Sequence, residues 1–110
     1  MGTRTEIPPG TLYMLILKTL ALNGPMHGYG IAEQIQQVSD EVLQVEEGSL
    51  YPALQRMLVK GWVMAEWGQS DNNRRARFYK LTAAGRKQLA AEISEFEKVT
   101  RAITRVIQPA

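Results

Sequence analysis

The chain has 110 residues, 45% of them hydrophobic, with a formal net charge of +2; this fits one compact domain whose core is real but small, so part of its stability is expected from a partner subunit. Cysteine is absent and histidine occurs once, which excludes disulfides and thiolate zinc sites, leaves no metal site or cofactor to expect, and makes a reducing compartment the natural setting. The distribution of charge says more than its sum: Glu33, Asp40, Glu41, Glu46 and Glu47 crowd mid-chain, whereas positions 71–87 set Arg74, Arg75, Arg77, Lys80, Arg86 and Lys87 against Asp71 alone.

At the start, Glu6 stands where a myristoylation signal needs Ser or Thr, and no charged-then-apolar secretory pattern follows Met1-Gly2. A soluble cytoplasmic protein is expected, loose only over residues 1–7 and 108–110. Pro8-Pro9-Gly10 marks the entrance to a first helix, with Leu12, Leu15, Ile16, Leu20 and Leu22 on a broad buried face. Lys18 and Thr19 interrupt that apolar run, which falls short of the roughly 20 residues of a membrane span. Asn23-Gly24-Pro25 ends the helix.

A second helix is predicted from about His27 to Val38, with Ile31, Ile35 and Val38 as its stripe and Ser39-Asp40 as its close. The third runs from about Glu47 to Lys60, because Leu50, Leu54, Met57 and Leu58 recur at helical spacing and Gly61 sits where a C-terminal cap belongs. Its entrance, "EEGSLYPALQR", is crowded with helix breakers. If the helix starts near Glu47, Pro52 removes one early N–H bond; if Ser49 is the N-cap, Pro52 falls in the first turn at little cost.

The period then changes. "WVMAEWG" alternates Trp62, Met64 and Trp67 against Glu66, "ARFYKL" offers a strand with Phe78 and Leu81, and "QSDNNRRA" between them is a polar turn, so a hairpin is expected. Thr82 precedes a helix of about 25 residues. Along it Leu89, Ile93, Phe96, Thr100, Ile103 and Ile107 alternate four- and three-residue steps, a heptad seam that Val99 and Val106 widen. A small domain has nothing left to cover that seam, which implies dimerisation.

The fold class is therefore mainly α with a small β-hairpin: a winged helix-turn-helix over residues 9–81 and a long C-terminal dimerisation helix over 82–107. In such a domain the third helix enters the major groove of double-stranded DNA and the hairpin loop reaches the adjacent backbone or minor groove. Ser49, Pro52, Gln55, Arg56 and Lys60 would face outward with Tyr51 at their edge, Arg56 and Gln55 being best suited to base edges. Arg74, Arg75 and Arg77 at the hairpin turn repel one another unless an anion compensates them. A two-fold dimer then suits a pseudo-palindromic operator.

"HGYGIAEQI", "EEGSLYPALQRMLVKGWV" and "RRARFYKLTAAGRKQL", in this order, resemble the PadR family of bacterial transcriptional regulators over about Leu12 to Leu89. The resemblance implies a homodimeric repressor, often relieved by a small ligand, with His27, Gly28, Tyr29, Ser49, Tyr51, Pro52, Arg56, Arg74 and Arg75 toward DNA. Ser49 stands where the family often has threonine. Many members carry a several-helix C-terminal domain, whereas this chain looks like the short subgroup with one helix. Some short members hold flat aromatic drugs between subunits, and Phe96 is the aromatic available for such an effector.

Other roles weigh against these. His27 is more naturally a cap or packing residue than a ligand, Tyr29 suits a phosphate contact and a structural role equally, and Trp62 and Trp67 read as core or half-buried sheet. Glu46 and Glu47 would repel phosphate unless they point away, accept from base amino groups or pair with a basic residue. They also favour the competing reading, a winged-helix module that binds protein and not DNA. For an enzyme the chain offers no phosphate loop after a strand, no cysteine nucleophile and no partnered histidine.

Overall fold

The computed structural model describes residues 5–108, so the expectations for Met1, Gly2, Pro109 and Ala110 concern residues outside that range. In chain order the elements are β1 (Thr5–Glu6), α1 (Leu12–Asn23), β2 (Met26–His27), α2 (Gly28–Val38), β3 (Leu43–Gln44), α3 (Glu47–Val59), β4 (Val63–Gln69), β5 (Arg75–Leu81) and α4 (Ala83–Ile107). The four helices and the β4–β5 hairpin match expectation. Three short strands do not: β2 joins the hairpin in a sheet of order β2-β5-β4, and β1 pairs in parallel with β3. Thr5 and Glu6, expected to be loose, are thereby tied down, because the β3 edge offers them backbone partners such as the Val42 carbonyl.

α1, α2 and α3 close around one core of Ile16, Leu17, Leu20, Ile31, Ile35, Leu50, Ala53, Leu54 and Met57, which the hairpin seals with Val63, Tyr79 and Leu81. Each fully buried Leu or Ile contributes about 1.5–3 kcal/mol. Thr19 is buried among them with its hydroxyl donating to the Leu15 carbonyl at 2.7 Å, so its burial leaves no unpaired polar atom. Leu22, assigned above to the buried face, is 70% exposed, since it lies on the side of α1 opposite Leu20. Val38 is exposed as well, at the overhanging last turn of α2.

The hairpin is registered from Val63↔Leu81 to Gln69↔Arg75. Trp62 still belongs to the turn after Gly61, whose φ of +77° ends α3, so the strand alternation begins one residue later than expected. Val63 and Ala65 face the helices while Met64 and Glu66 face solvent. On β5, Tyr79 and Leu81 fill the core, and Phe78 turns to the other face against His27.

α4 is anchored where its chain leaves the sheet. Thr82 is its N-cap: the hydroxyl accepts from the Gly85 N–H at 3.0 Å and lies 2.7 Å from the Gly61 carbonyl oxygen and 3.0 Å from that of Trp62, to which it donates. Gly85 and Leu89 are buried in the same core as the winged-helix elements, so that core continues past Thr82. From Ser94 to Gln108 every residue is exposed.

A Cβ on Gly85 would collide with the Trp62 carbonyl, a backbone atom that cannot move aside. Gly85→Ala is therefore expected to destabilise the chain by ~1–3 kcal/mol or more, and Thr82→Ala by ~1 kcal/mol through the lost cap. Thermal melts followed by circular dichroism check both.

Candidate nucleic-acid interface

The two-residue strand β2 sets the geometry. Met26 pairs with Tyr79 and His27 with Phe78, which fixes the start of α2 against the middle of β5. His27 is extended and caps α2, its Nδ1 accepting from the Gly30 N–H at 3.0 Å. Its ring meets Phe78 edge to face at 5.5 Å and stacks on Tyr29 at 6.4 Å. The capping role weighed for His27 is the one the geometry supports.

Gly28 follows at the first position of α2, and Tyr51 of α3 lies across it so closely that a Cβ there would sit 2.7 Å from Cε1 of the ring. Only a glycine admits this approach. Partial burial, then the Glu47 carboxylate and Tyr79, push the Tyr51 phenol above its ordinary value of 10.0.

Between α2, Tyr51 and the hairpin opens a cleft of about 680 Å³. Tyr29, 64% exposed, stands on one wall; Trp67, Arg74, Arg75 and Arg77 form the other. On that wall Arg75 lies 4.8 Å from the Trp67 ring centre and Arg77 lies 6.0 Å from that of Tyr79, so the guanidinium groups are ordered against aromatic faces. The turn beyond is closed by the Ser70 N–H to the Arg74 carbonyl at 2.8 Å and by Asn73, which takes a φ of +60°. Glu33 and Asp71 also line the cleft, fewer than its three arginines.

Trp67 is 60% exposed and belongs to this cleft, whereas the sequence suggested core or half-buried sheet. The signal that identifies it is strand phase: counted from Val63, the residues of β4 facing α3 are Val63, Ala65 and Trp67. The last of them extends past the end of the core.

Ser49, Pro52 and Arg56 lie on the other flank of α3, in a second cleft of about 470 Å³ beside Pro8, Pro9 and Gly10. The expected contact residues are thus split between two sides of one helix. Gln55 is exposed on the outward edge between them, and Lys60 lies at the far C-terminal end with Nζ 5.2 Å from the Trp62 ring. Trp62 itself is half-buried and meets Tyr13 edge to face, consistent with a packing role.

The crowded entrance of α3 resolves in favour of the earlier start. Glu46 is the N-cap, its carbonyl accepting from the N–H groups of Ser49 and Leu50 at 3.0 and 2.9 Å, so Ser49 is not the cap. Pro52 then lies inside the helix and supplies no N–H to the Gly48 carbonyl, which is tolerable on an exposed edge. Glu46 and Glu47 flank the positive end of the helix dipole, worth about 0.3–1 kcal/mol to a carboxylate there. Among the described residues neither forms an ion pair.

The heptad seam divides in two. Leu89 is 8% exposed and Ile93 half-buried, both packed on their own protomer's core, which removes Leu89 from a purely intersubunit role. Phe96, Thr100, Ile103 and Ile107 are exposed, as are Val99 and Val106. Among the described residues no group of side chains could hold a metal ion and no helix is long and apolar enough to cross a membrane.

Comparison with known proteins agrees with this architecture. A regulator from Clostridium thermocellum superposes with a TM-score of 0.80 at 26% identity, over 90% of this chain and 95% of that one. A PadR family regulator from Clostridium difficile gives 0.67 at 28% identity, over 86% and 98%. In sequence the chain is 28% identical over 100 residues to Uncharacterized protein X of Lysinibacillus sphaericus, covering 91% of each. It is 38% identical over 87 residues to a 37.1 kDa protein in a transposon of Streptomyces fradiae, covering 79% of this chain and 23% of that protein. Residues 16–91 match the Transcriptional regulator PadR-like family, and with its three-helix core, its hairpin wing and its C-terminal helix the chain belongs to that family of transcriptional regulators.

Proposed function

We propose that this regulator is a homodimeric repressor, in the bacterial cytoplasm, that grips a pseudo-palindromic DNA operator with α3 in the major groove and the wing along the backbone. The observation that carries the reading is the cleft of Tyr29, Tyr51, Trp67, Arg74, Arg75 and Arg77 beside α3. Arg75 and Arg77 are ordered against aromatic rings, and among the described residues neither they nor Arg74 pairs with a carboxylate, which leaves a donor-rich surface suited to consecutive phosphates. Gln55 on the outward edge of α3, with Ser49 and Pro52 on one side and Tyr51 on the other, supplies the groups nearest to base edges, and Lys60 reaches the backbone at the helix end.

The exposed stripe Phe96, Thr100, Ile103 and Ile107 supports pairing of two α4 helices, since so long an apolar strip is unusual on a monomer. This division makes residues 9–81 with the first turns of α4 the DNA-binding unit, and the rest of 82–107 the dimerisation helix. Phe96 and Val99 line a groove of about 390 Å³ with Met14 of α1. A flat aromatic effector seated there would release DNA by favouring a dimer geometry whose two α3 helices no longer match successive grooves.

Gel shifts with the chain's own upstream region test the reading: salt-sensitive binding preferred over random duplex is expected, and equal binding to both would sink the claim of a specific operator. Arg74→Ala with Arg75→Ala is expected to weaken binding to every duplex and to flatten the salt dependence by about one phosphate per arginine. Gly28→Ala should displace the Tyr51 ring and lower affinity while the thermal melt changes little. Ile103→Asp should yield monomers by light scattering and lose operator affinity with its fold intact, because Ile103 is exposed in the protomer.

A further inference from the structure

The flank of α3 away from the wing carries a linked set of groups. Arg56 Nε donates to the Tyr13 hydroxyl at 2.6 Å, and the guanidinium carbon lies 5.8 Å from the centre of that ring. Tyr13 in turn meets Trp62 edge to face at 5.5 Å and 79°. A surface arginine would otherwise sample many rotamers; here a hydrogen bond and a braced ring hold it in one.

Two consequences follow from hydrogen-bond chemistry. With Nε committed, the remaining guanidinium N–H groups stay free, and the Tyr13 oxygen, having accepted, keeps its own proton to donate. Side by side these form a set of donors without an acceptor, which suits phosphate oxygens. The direction of the side chain agrees. A helix about 10–12 Å across nearly fills a major groove about 12 Å wide, so its outward edge meets bases and its flanks meet the sugar-phosphate walls. Arg56 lies on a flank with Ser49, shared with the Pro8-Pro9-Gly10 segment, and Gln55 holds the outward edge.

We infer that Arg56, oriented by Tyr13, clamps a phosphate on the strand opposite to the one the wing follows, and does not read a base. This rests on the DNA-binding reading above and replaces the base-reading role expected for Arg56 from sequence. Tyr13 is a positioning residue that also donates to the same phosphate. Glu6 and Glu46 line the same cleft, and among the described residues neither forms an ion pair with Arg56, so they do not occupy its guanidinium.

The test uses the full chain and fluorescence anisotropy on two labelled duplexes: one enriched by the wild-type protein from a random-sequence pool, the other a scramble of equal length and composition. Arg56→Ala is expected to weaken binding to both by roughly tenfold, to leave their affinity ratio unchanged and to reduce the salt slope by about one. Tyr13→Phe keeps the ring against Trp62 and should weaken both duplexes by a smaller factor. The double variant should lose less affinity than the product of the two single losses, because both groups act on one phosphate. A changed affinity ratio in Arg56→Ala, a Tyr13→Phe protein that binds like wild type, or losses that multiply in the double variant would each overturn the clamp. Wild-type protein that binds neither duplex would instead overturn the DNA-binding reading beneath it.

Discussion

The candidate interface depends on two backbone pairings, Met26 with Tyr79 and His27 with Phe78. Without them the hairpin would be tied to the helices only through its base, and its tip would be free to swing relative to α3. With them β5 becomes the central strand of three, and the start of α2 is fixed beside the wing. Gly28 then lies under Tyr51, and the cap that His27 provides to α2 is held by the same residue that makes the sheet pair. Residues 26–28 thereby couple β5, the start of α2 and the Tyr51 side of α3.

Around that junction, basic groups are supported by aromatic rings on both sides of α3. The wing orders Arg75 on Trp67 and Arg77 near Tyr79, while the opposite flank orders Arg56 on Tyr13 with Trp62 behind it. Stacking a guanidinium on a ring restricts its rotamers and leaves its edge N–H groups available, so the entropy of ordering is met largely within the protein before any ligand arrives. A net charge of only +2 is compatible with such an interface because Arg56, Arg74, Arg75 and Arg77 concentrate positive charge in the two clefts beside α3.

α4 serves two purposes along its length. Its first turns, locked by Thr82 and by the close passage of Gly85 under the Trp62 carbonyl, belong to the protomer's core; the rest leaves the body and exposes an apolar stripe. The joint at Thr82 therefore determines the direction in which that stripe is presented. Any change there would alter how two copies could meet.

Sequence alone determined the four helices, the hairpin, the cap at Thr82 and the basic turn, because each follows from local periodicity, capping chemistry or turn-forming residues that act over a few positions. It also identified the inward residues of α3, from Leu50 to Met57. It misjudged Leu22, the phase of β4 and the burial of Phe78 and Tyr79, where one residue of slip exchanges the faces of an element. Only the tertiary structure decided which residues share a cleft. Strand β2 has no local signature because two residues make no period, and its pairing partner lies some fifty positions away. The bond from Arg56 to Tyr13 spans 43 positions. Trp67 became a cleft residue, and Leu89 a core one, through the distance at which each element outruns the packing of its neighbours, a quantity that no local pattern of side chains encodes.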